Sequence, residues 1–258
     1  MRIRVLGCSG GIGGRHLRTT ALLVDHDVLI DAGTGVMDLS VDELIGIEHV
    51  FLTHAHLDHI AALPLMVDTV GERRARPLTV HASEAVLESL RAHIFNGSIW
   101  PDFSEIPSPE QPYLRFQPMP PDARYDLGQG RHIAPLPARH TVPAVGYLLE
   151  SGRASLAFSG DTGACPALWQ RLNARADLKA LLIECAFPNR EQALAERSGH
   201  LCPRTLAAEL RQFAHAGRCD IYITHLKPGQ VELTMAEIEA GLGDWEPRML
   251  QSNQVIEF

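Results

Sequence analysis

The sequence predicts an α/β fold in one large domain, and three observations carry that expectation. Short runs rich in Val, Ile and Leu alternate with helical stretches, no repeat or low-complexity tract interrupts them, and polar residues able to hold metal follow several apolar runs where a strand would end. At 258 residues and 45% hydrophobic content, the chain can bury a core of that size.

Taken in order, strands are expected over 2–6, 21–24, 28–31, 50–53, 78–81, 133–138, 145–150, 155–159, 180–184 and 221–224, with a last one over 249–251 or 255–258. Helices are expected from Ser83 to about residue 95, where Ser83 supplies an N-cap ahead of Glu84, and over 166–172 and 203–215, each with proline in its first turn. The stretch 97–121 differs, carrying seven prolines among Trp100, Phe103, Tyr113 and Phe116. It reads as an irregular insertion or a lid, its aromatics serving as packing anchors rather than as a platform for a substrate base.

The run Thr53-His54-Ala55-His56-Leu57-Asp58-His59 places three imidazoles and a carboxylate in six positions, directly after the apolar stretch Val50-Phe51-Leu52. Histidine and aspartate suit zinc and its neighbours, and i, i+2 spacing on an extended chain puts His54 and His56 on one side. Asp58 and His59 lie beyond the strand end, where a turn can aim them at a second ion. Further along, His140, Asp161 within Ser159-Gly160-Asp161-Thr162-Gly163, and His225 each follow an apolar run. Singly each would be a turn or capping residue; beside the clustered motif they read as further ligands.

Charge and cysteine usage narrow the function classes. A formal net charge of −8 disfavours a long nucleic acid as partner. No window is apolar enough to span a membrane, and the opening Met1-Arg2-Ile3-Arg4-Val5-Leu6-Gly7 meets glycines where a signal peptide needs a long apolar core. Five scattered cysteines without paired spacing fit a reducing cytoplasm, as core or incidental thiols. The glycine-rich Gly10-Gly11-Ile12-Gly13-Gly14 lacks a dinucleotide fingerprint or phosphate-loop lysine, and nearby Arg15, His16 and Arg18 are placed to reach a phosphate or a partner subunit.

In order along nearly its whole length, the chain resembles the metallo-β-lactamase superfamily: Leu6-Gly7-Cys8-Ser9-Gly10-Gly11, Leu29-Ile30-Asp31-Ala32-Gly33, the H-A-H-L-D-H cluster, His140, Ser159-Gly160-Asp161-Thr162-Gly163 and Thr224-His225. The resemblance implies an αββα sandwich with a dinuclear metal site at its edge. It implies His54, His56 and His140 as ligands of one ion, Asp58, His59 and His225 of the other, Asp161 as the bridging carboxylate, and Asp31 as a support orienting the ligand imidazoles. Two divalent ions are thereby expected, zinc first, with manganese or iron as alternatives.

The tail Leu182-Ile183-Glu184-Cys185-Ala186-Phe187-Pro188-Asn189, then Gly199-His200-Leu201-Cys202-Pro203 and Thr224-His225-Leu226-Lys227-Pro228, looks like the class II cyclic-nucleotide phosphodiesterases, with Ala62 where that family usually carries Gly or Ser. Glu184 and His200 resemble the acid and histidine pair of ribonuclease Z. These likenesses imply hydrolysis of a small phosphodiester, foremost a 3′,5′-cyclic nucleotide, by a hydroxide shared between the metals. Asp58 would orient that hydroxide, and His200, held by Glu184, would serve the phosphoryl or leaving oxygen. They further imply a homodimer, in the cytoplasm that the cysteine usage favours. The rivals are tRNA 3′-processing of the ribonuclease Z type, hydrolysis of a carboxyl ester, lactone or thioester, and a metal-binding protein without turnover.

Overall fold

Several strands are buried along their whole length, among them Ala21–Val24, Val28–Ile30 and Ser155–Phe158, a pattern that requires cover on both faces of a sheet. The computed structural model, which describes residues 1–14, 16–215 and 217–258, meets that requirement with two seven-stranded sheets stacked face to face and helices on both outer sides. The first sheet contains β1 (Arg2–Gly7), β2 (Ala21–Val24), β3 (Val28–Ile30), β4 (His49–Phe51), β5 (Leu78–Ala82) and β6 (Leu114–Pro118) in sequence order. The second contains β7 (Tyr125–Gly128), β8 (Arg131–Pro137), β9 (Val145–Glu150), β10 (Ser155–Phe158), β11 (Leu178–Glu184), β12 (Asp220–Thr224) and β13 (Arg248–Met249). The chain closes with β14 (Val255–Glu257), antiparallel to β1. In each sheet the inner pairs shift from antiparallel to parallel, beginning at β3–β4 and at β10–β11.

Eight helices cover the outer faces among the described residues: α1 (Val41–Gly46), α2 (Leu57–Ile60), α3 (Leu63–Val70), α4 (Glu84–His93), α5 (Pro166–Asn173), α6 (Gln192–Arg197), α7 (Pro203–Leu210) and α8 (Val231–Leu242). Alternation along the strands separates three apolar layers. Val50 of β4 packs outward with α1, α3 and α4, whereas its neighbour Phe51 points inward with Tyr147, Phe158 and Leu182 of the facing sheet. Leu181 and Ile183 of β11 face the opposite helix layer of α5, α7 and α8. This is the expected four-layer αββα sandwich. No helix is long and apolar enough to cross a membrane among the described residues.

The expected strands all form, with ends that match or shift by one or two residues, and both candidates for the last strand are present as β13 and β14. The expected helix over 203–215 stops at Leu210. Ser83 is the N-cap of α4 by backbone conformation, but its buried hydroxyl makes no capping bond. Five helices escaped the sequence reading. One of them, α1, carries a capping box: Ser40 accepts from Glu43 N at 3.3 Å, and Glu43 Oε2 accepts from Ser40 N at 2.9 Å.

The segment 97–121 is not wholly irregular. It contributes β6, parallel to β5 at the sheet edge, where its prolines are tolerated. Phe103 is buried in the core that α4 covers, with Trp100, Tyr113 and Phe116 packed against it, so the aromatics are anchors. A Cβ on Gly71 would lie 2.7 Å from the Tyr113 ring, so that ring needs glycine opposite it. The five cysteines are free, four of them buried and Cys8 half-buried.

Facing the sheet interface, His81 stacks on Phe51 with ring centroids 4.4 Å apart, and its Nε2 lies 3.0 Å from Nδ1 of His49. Burial first, and His49 second, push the His81 imidazole down to about 3. Its folded pKa lies below its unfolded one, so the neutral ring's contribution is complete above about pH 6.5 and is lost as pH falls toward 3. Between about pH 6.5 and about pH 4.5, wild type should lose stability relative to His81→Phe, with a slope approaching 1.4 kcal/mol per pH unit. Thermal midpoints measured across that range check this, and parallel curves for the two proteins would refute it.

Candidate metal centre

The first ligand-capable segment leaves β4 under backbone control from both sheets. Leu52 N donates to His81 O at 2.9 Å, Val145 N donates to Thr53 O at 3.0 Å, and the buried Tyr147 hydroxyl donates to Leu52 O at 2.8 Å. His56 is the extended N-cap of α2, so the chain turns between His56 and Asp58. His140 lies beyond β8, Asp161 beyond β10 and His225 beyond β12, all at the same edge of the sandwich.

This arrangement gathers the predicted residues into two neighbouring clusters. One is His54, His56 and His140; the other is Asp58, His59, Asp161 and His225; within each, the potential ligand atoms lie within 4.8 Å of one another. Asp161 Oδ2 stands between them, 3.7 Å from His54 Nε2, 3.3 Å from His59 Nε2 and 3.2 Å from His225 Nε2. His56 Nδ1 and His140 Nε2 are 3.1 Å apart. Asp161 is 3% exposed and Asp58 31%, so only the latter carboxylate opens toward solvent.

These residues fit metal ions by the chemistry of their donors. His54 Nε2 and His59 Nε2 are buried with no hydrogen-bond partner among the described residues. A buried polar atom left unpaired costs about 1–3 kcal/mol, and a cation would relieve both atoms at once. Burial, then the neighbouring His59, holds His54 well below the ordinary histidine range, leaving its ring neutral as a ligand must be.

Asp31 fixes which ring nitrogens are available. Its buried carboxylate accepts from Thr53 N at 2.8 Å, from the Thr53 hydroxyl at 2.8 Å and from His59 Nδ1 at 2.7 Å. The Thr53 hydroxyl in turn lies 2.9 Å from His54 Nδ1, so the His54 N–H donates to Thr53, Thr53 donates to Asp31, and both histidines present Nε2 to the cluster. His140 is oriented likewise, its Nδ1 donating to Gly199 O at 2.9 Å. Burial pushes the Asp31 carboxyl up. His59, against the cost of burial, is held well above its ordinary range by Asp161 and Asp31. Burial likewise opposes ionisation of Asp58, but the hydrogen bond from His225 and the charge of His59 hold its carboxyl low.

Two site residues occupy left-handed backbone conformations, Asp31 with φ 57° and His225 with φ 62°. His225 N donates to Cys8 O at 2.8 Å, tying β12 to the end of β1. Gly10 lies against the same turn: a Cβ there would meet His225 O at 2.5 Å and Nδ1 at 2.9 Å, which accounts for glycine at that position without any phosphate-binding role. His16 and Arg18 line a separate cavity with Cys8 and Met249; the Arg18 guanidinium is bound to Asp38, and Arg15 lies outside the described residues.

Beside the clusters, Glu184 at the end of β11 is fully buried and accepts three hydrogen bonds, from His200 Nδ1 at 2.7 Å, Thr162 N at 3.0 Å and Leu201 N at 3.2 Å. Burial opposes protonation of His200, but Glu184 outweighs it and raises the imidazole above its ordinary range. The His200 ring stacks on His225 at 5.0 Å, and its ligand-capable atoms also come within 4.8 Å of those of His140 and Asp161.

A family profile described as "Beta-lactamase superfamily domain" matches residues 26–226, which include all seven clustered ligand candidates, Glu184 and His200. The chain belongs to the β-lactamase superfamily. Membership places it among the metal-dependent hydrolases of the metallo-β-lactamase fold. It is 28% identical over 218 residues to a "Probable 3′,5′-cyclic-nucleotide phosphodiesterase" of Yersinia pestis, an alignment covering 74% of this chain and 62% of the relative. It is 26% identical over 156 residues to a "Ribonuclease Z" of Halorubrum lacusprofundi, covering 58% of this chain and 47% of that one. The chain thus spans less than two thirds of either relative. The crystal structure of unliganded yeast PDE1 shares the fold, with a TM-score of 0.83 at 17% identity and coverage of 100% of this chain and 99% of that one.

Sequence reasoning missed the supports Thr53, Tyr147 and Gly199. Only Thr53 had a signal, its place between a strand and the histidines; the other two act through tertiary contacts. Asp31→Asn keeps the side chain's shape but removes the carboxylate that orders Thr53 and His59, and should weaken metal affinity by about 10–100-fold. Metal content after dialysis against graded chelator, with circular dichroism to confirm folding, measures this; wild-type retention in a folded variant would exclude the orienting role.

Proposed function

We propose that the chain is a phosphodiesterase for a small phosphodiester, foremost a 3′,5′-cyclic nucleotide, opening the ring to the 5′-monophosphate. The observation that carries this reading is the buried Glu184–His200 pair at 2.7 Å, set beside two ligand clusters that share Asp161. Two divalent ions, zinc first and manganese or iron otherwise, would be held by His54, His56 and His140 and by Asp58, His59 and His225 with Asp161 between, supplying Lewis acidity and a water of lowered pKa.

The chain's own groups supply the rest. Asp58, the carboxylate open to solvent, orients the attacking water. His200 keeps one N–H on Glu184, so its Nε2 is the atom directed to the substrate. Retaining its proton beside that carboxylate, the ring donates from Nε2 to a phosphoryl oxygen or to the departing alkoxide. Cyclic-nucleotide phosphodiesterases among the relatives support this substrate class. The net charge of −8 weighs against a long RNA.

The test is incubation of the zinc- or manganese-loaded protein with cyclic AMP, cyclic GMP, bis-p-nitrophenyl phosphate and a precursor tRNA, with His56→Ala as control. Release of a 5′-mononucleotide from a cyclic nucleotide, lost in the control, is the expected result; cleavage of the tRNA alone would transfer the assignment to ribonuclease Z. His200→Ala should lower kcat by about 10²–10⁴-fold while the metal content stays at the wild-type level. Unchanged turnover would remove His200 from the reaction, and loss of metal would reassign it to coordination.

A further inference from the structure

We propose that the cavity beside His140 and His200 is a subsite for a second anionic group of the substrate, a phosphate on the same molecule as the scissile diester, and that Arg139 and Arg197 determine specificity there. The proposal rests on the phosphodiesterase reading and deepens it: among small diesters, cyclic nucleotides included, those with an additional phosphate are preferred. The cavity has a volume of about 510 Å³, within the range of about 300–1,000 Å³ typical of small-molecule sites, so there is room for more than a phosphate.

Both arginines are tied in sequence to the candidate site. Arg139 immediately precedes His140, and its backbone is fixed at both ends, N donating to Thr162 Oγ1 at 2.9 Å and O accepting from Gly163 N at 2.8 Å. Arg197 ends α6, three residues before His200. Elsewhere the guanidiniums of Arg4, Arg18, Arg124, Arg131 and Arg175 are bound to carboxylates, while other exposed arginines such as Arg73, Arg115 and Arg171 lie away from the ligand clusters. Those of Arg139 and Arg197 are exposed, line this cavity, and have no hydrogen-bond or ion-pair partner among the described residues. Glu196 also lines the cavity, its carboxylate taken by Gln192 Nε2 at 2.8 Å.

In a chain of net charge −8, an anion is repelled at long range, and local cations must reverse the field for it to enter. The scissile phosphate has the ligand clusters and His200 to meet it. The two guanidiniums at this cavity have no carboxylate partner among the described residues, and their planar forks match the oxygens of a phosphate in two-point contact. A substrate with a single phosphate leaves them unused.

The first test is calorimetry on the full chain with adenosine 3′,5′-bisphosphate and with 5′-AMP. Wild type should bind the bisphosphate about tenfold or more tightly than the monophosphate, and the ratio should fall to near one in Arg139→Ala/Arg197→Ala. The second is kcat/KM for the p-nitrophenyl ester of thymidine 5′-monophosphate and for its 3′-phosphorylated counterpart, where the same preference and the same loss are expected. Equal affinities in wild type, or a preference that survives the double substitution, overturns the subsite. Turnover of both esters without preference overturns it too and leaves the phosphodiesterase reading standing. Preferential, arginine-dependent binding of the bisphosphate with neither ester cleaved supports the anion site and overturns that reading.

Discussion

The sheet edge depends on the three hydrogen bonds that Asp31 accepts from the Thr53 amide, the Thr53 hydroxyl and His59. Five imidazoles and two carboxylates converge there, and unprotonated imidazoles gain nothing from one another's company. What makes the assembly possible is that three of the rings have one nitrogen committed to the scaffold, so that the other faces inward by default. Thr53 and Asp31 do this for His54 and His59; the Gly199 carbonyl does it for His140. Without that division of roles a ring could flip or take the other tautomer, and the inward-facing set of lone pairs would dissolve.

The scaffold bears the cost of this polar cluster through apolar layers on both sides. Phe51 and Tyr147 sit beneath it between the sheets, and the Tyr147 hydroxyl ties the strand leading to His54 to the opposite sheet. A buried aromatic residue of this kind typically contributes about 3–5 kcal/mol, which is enough to offset several imperfectly satisfied polar atoms. The left-handed backbone at Asp31 and His225 belongs to the same trade: local conformational strain is tolerated where neighbouring strands dictate the path.

Much of this was legible in the sequence because the signals are local. A strand buried on both faces is an apolar run, and a ligand at its carboxyl end is a polar residue that closes the run; His140, Asp161 and His225 were visible for that reason. The clustered motif was visible because the turn into α2 puts two ligands before it and two after. Less local features were hidden. Short helices such as α2 and α6 have four and six residues, too few to show a period. The strand β6 was masked by prolines, which an edge position permits. Gly10 stood in a glycine run without the companions of a phosphate loop, and only the contact with His225 reveals why glycine stands there. Arg139 and Arg197 carried no signal at all, since only the fold brings two residues 58 positions apart to one cavity beside His140 and His200.

The burial of these groups separates chemistry from selection. His54, His59, Asp161 and Glu184 are nearly or wholly inaccessible, and each is held by partners that could not change without disturbing several others. The surrounding wall is different: Arg139, Thr141, Glu196 and Arg197 are exposed, and their side chains bear little of the structure. Substitution there alters the field and shape that a substrate meets while the buried centre is left intact. A fold organised in this way can retain one hydrolytic apparatus and accept a cyclic nucleotide, a tRNA end or another ester according to what surrounds it. On the proposed reading the buried centre supplies the activated water, whereas the choice of molecule falls to the few exposed side chains next to His140 and His200.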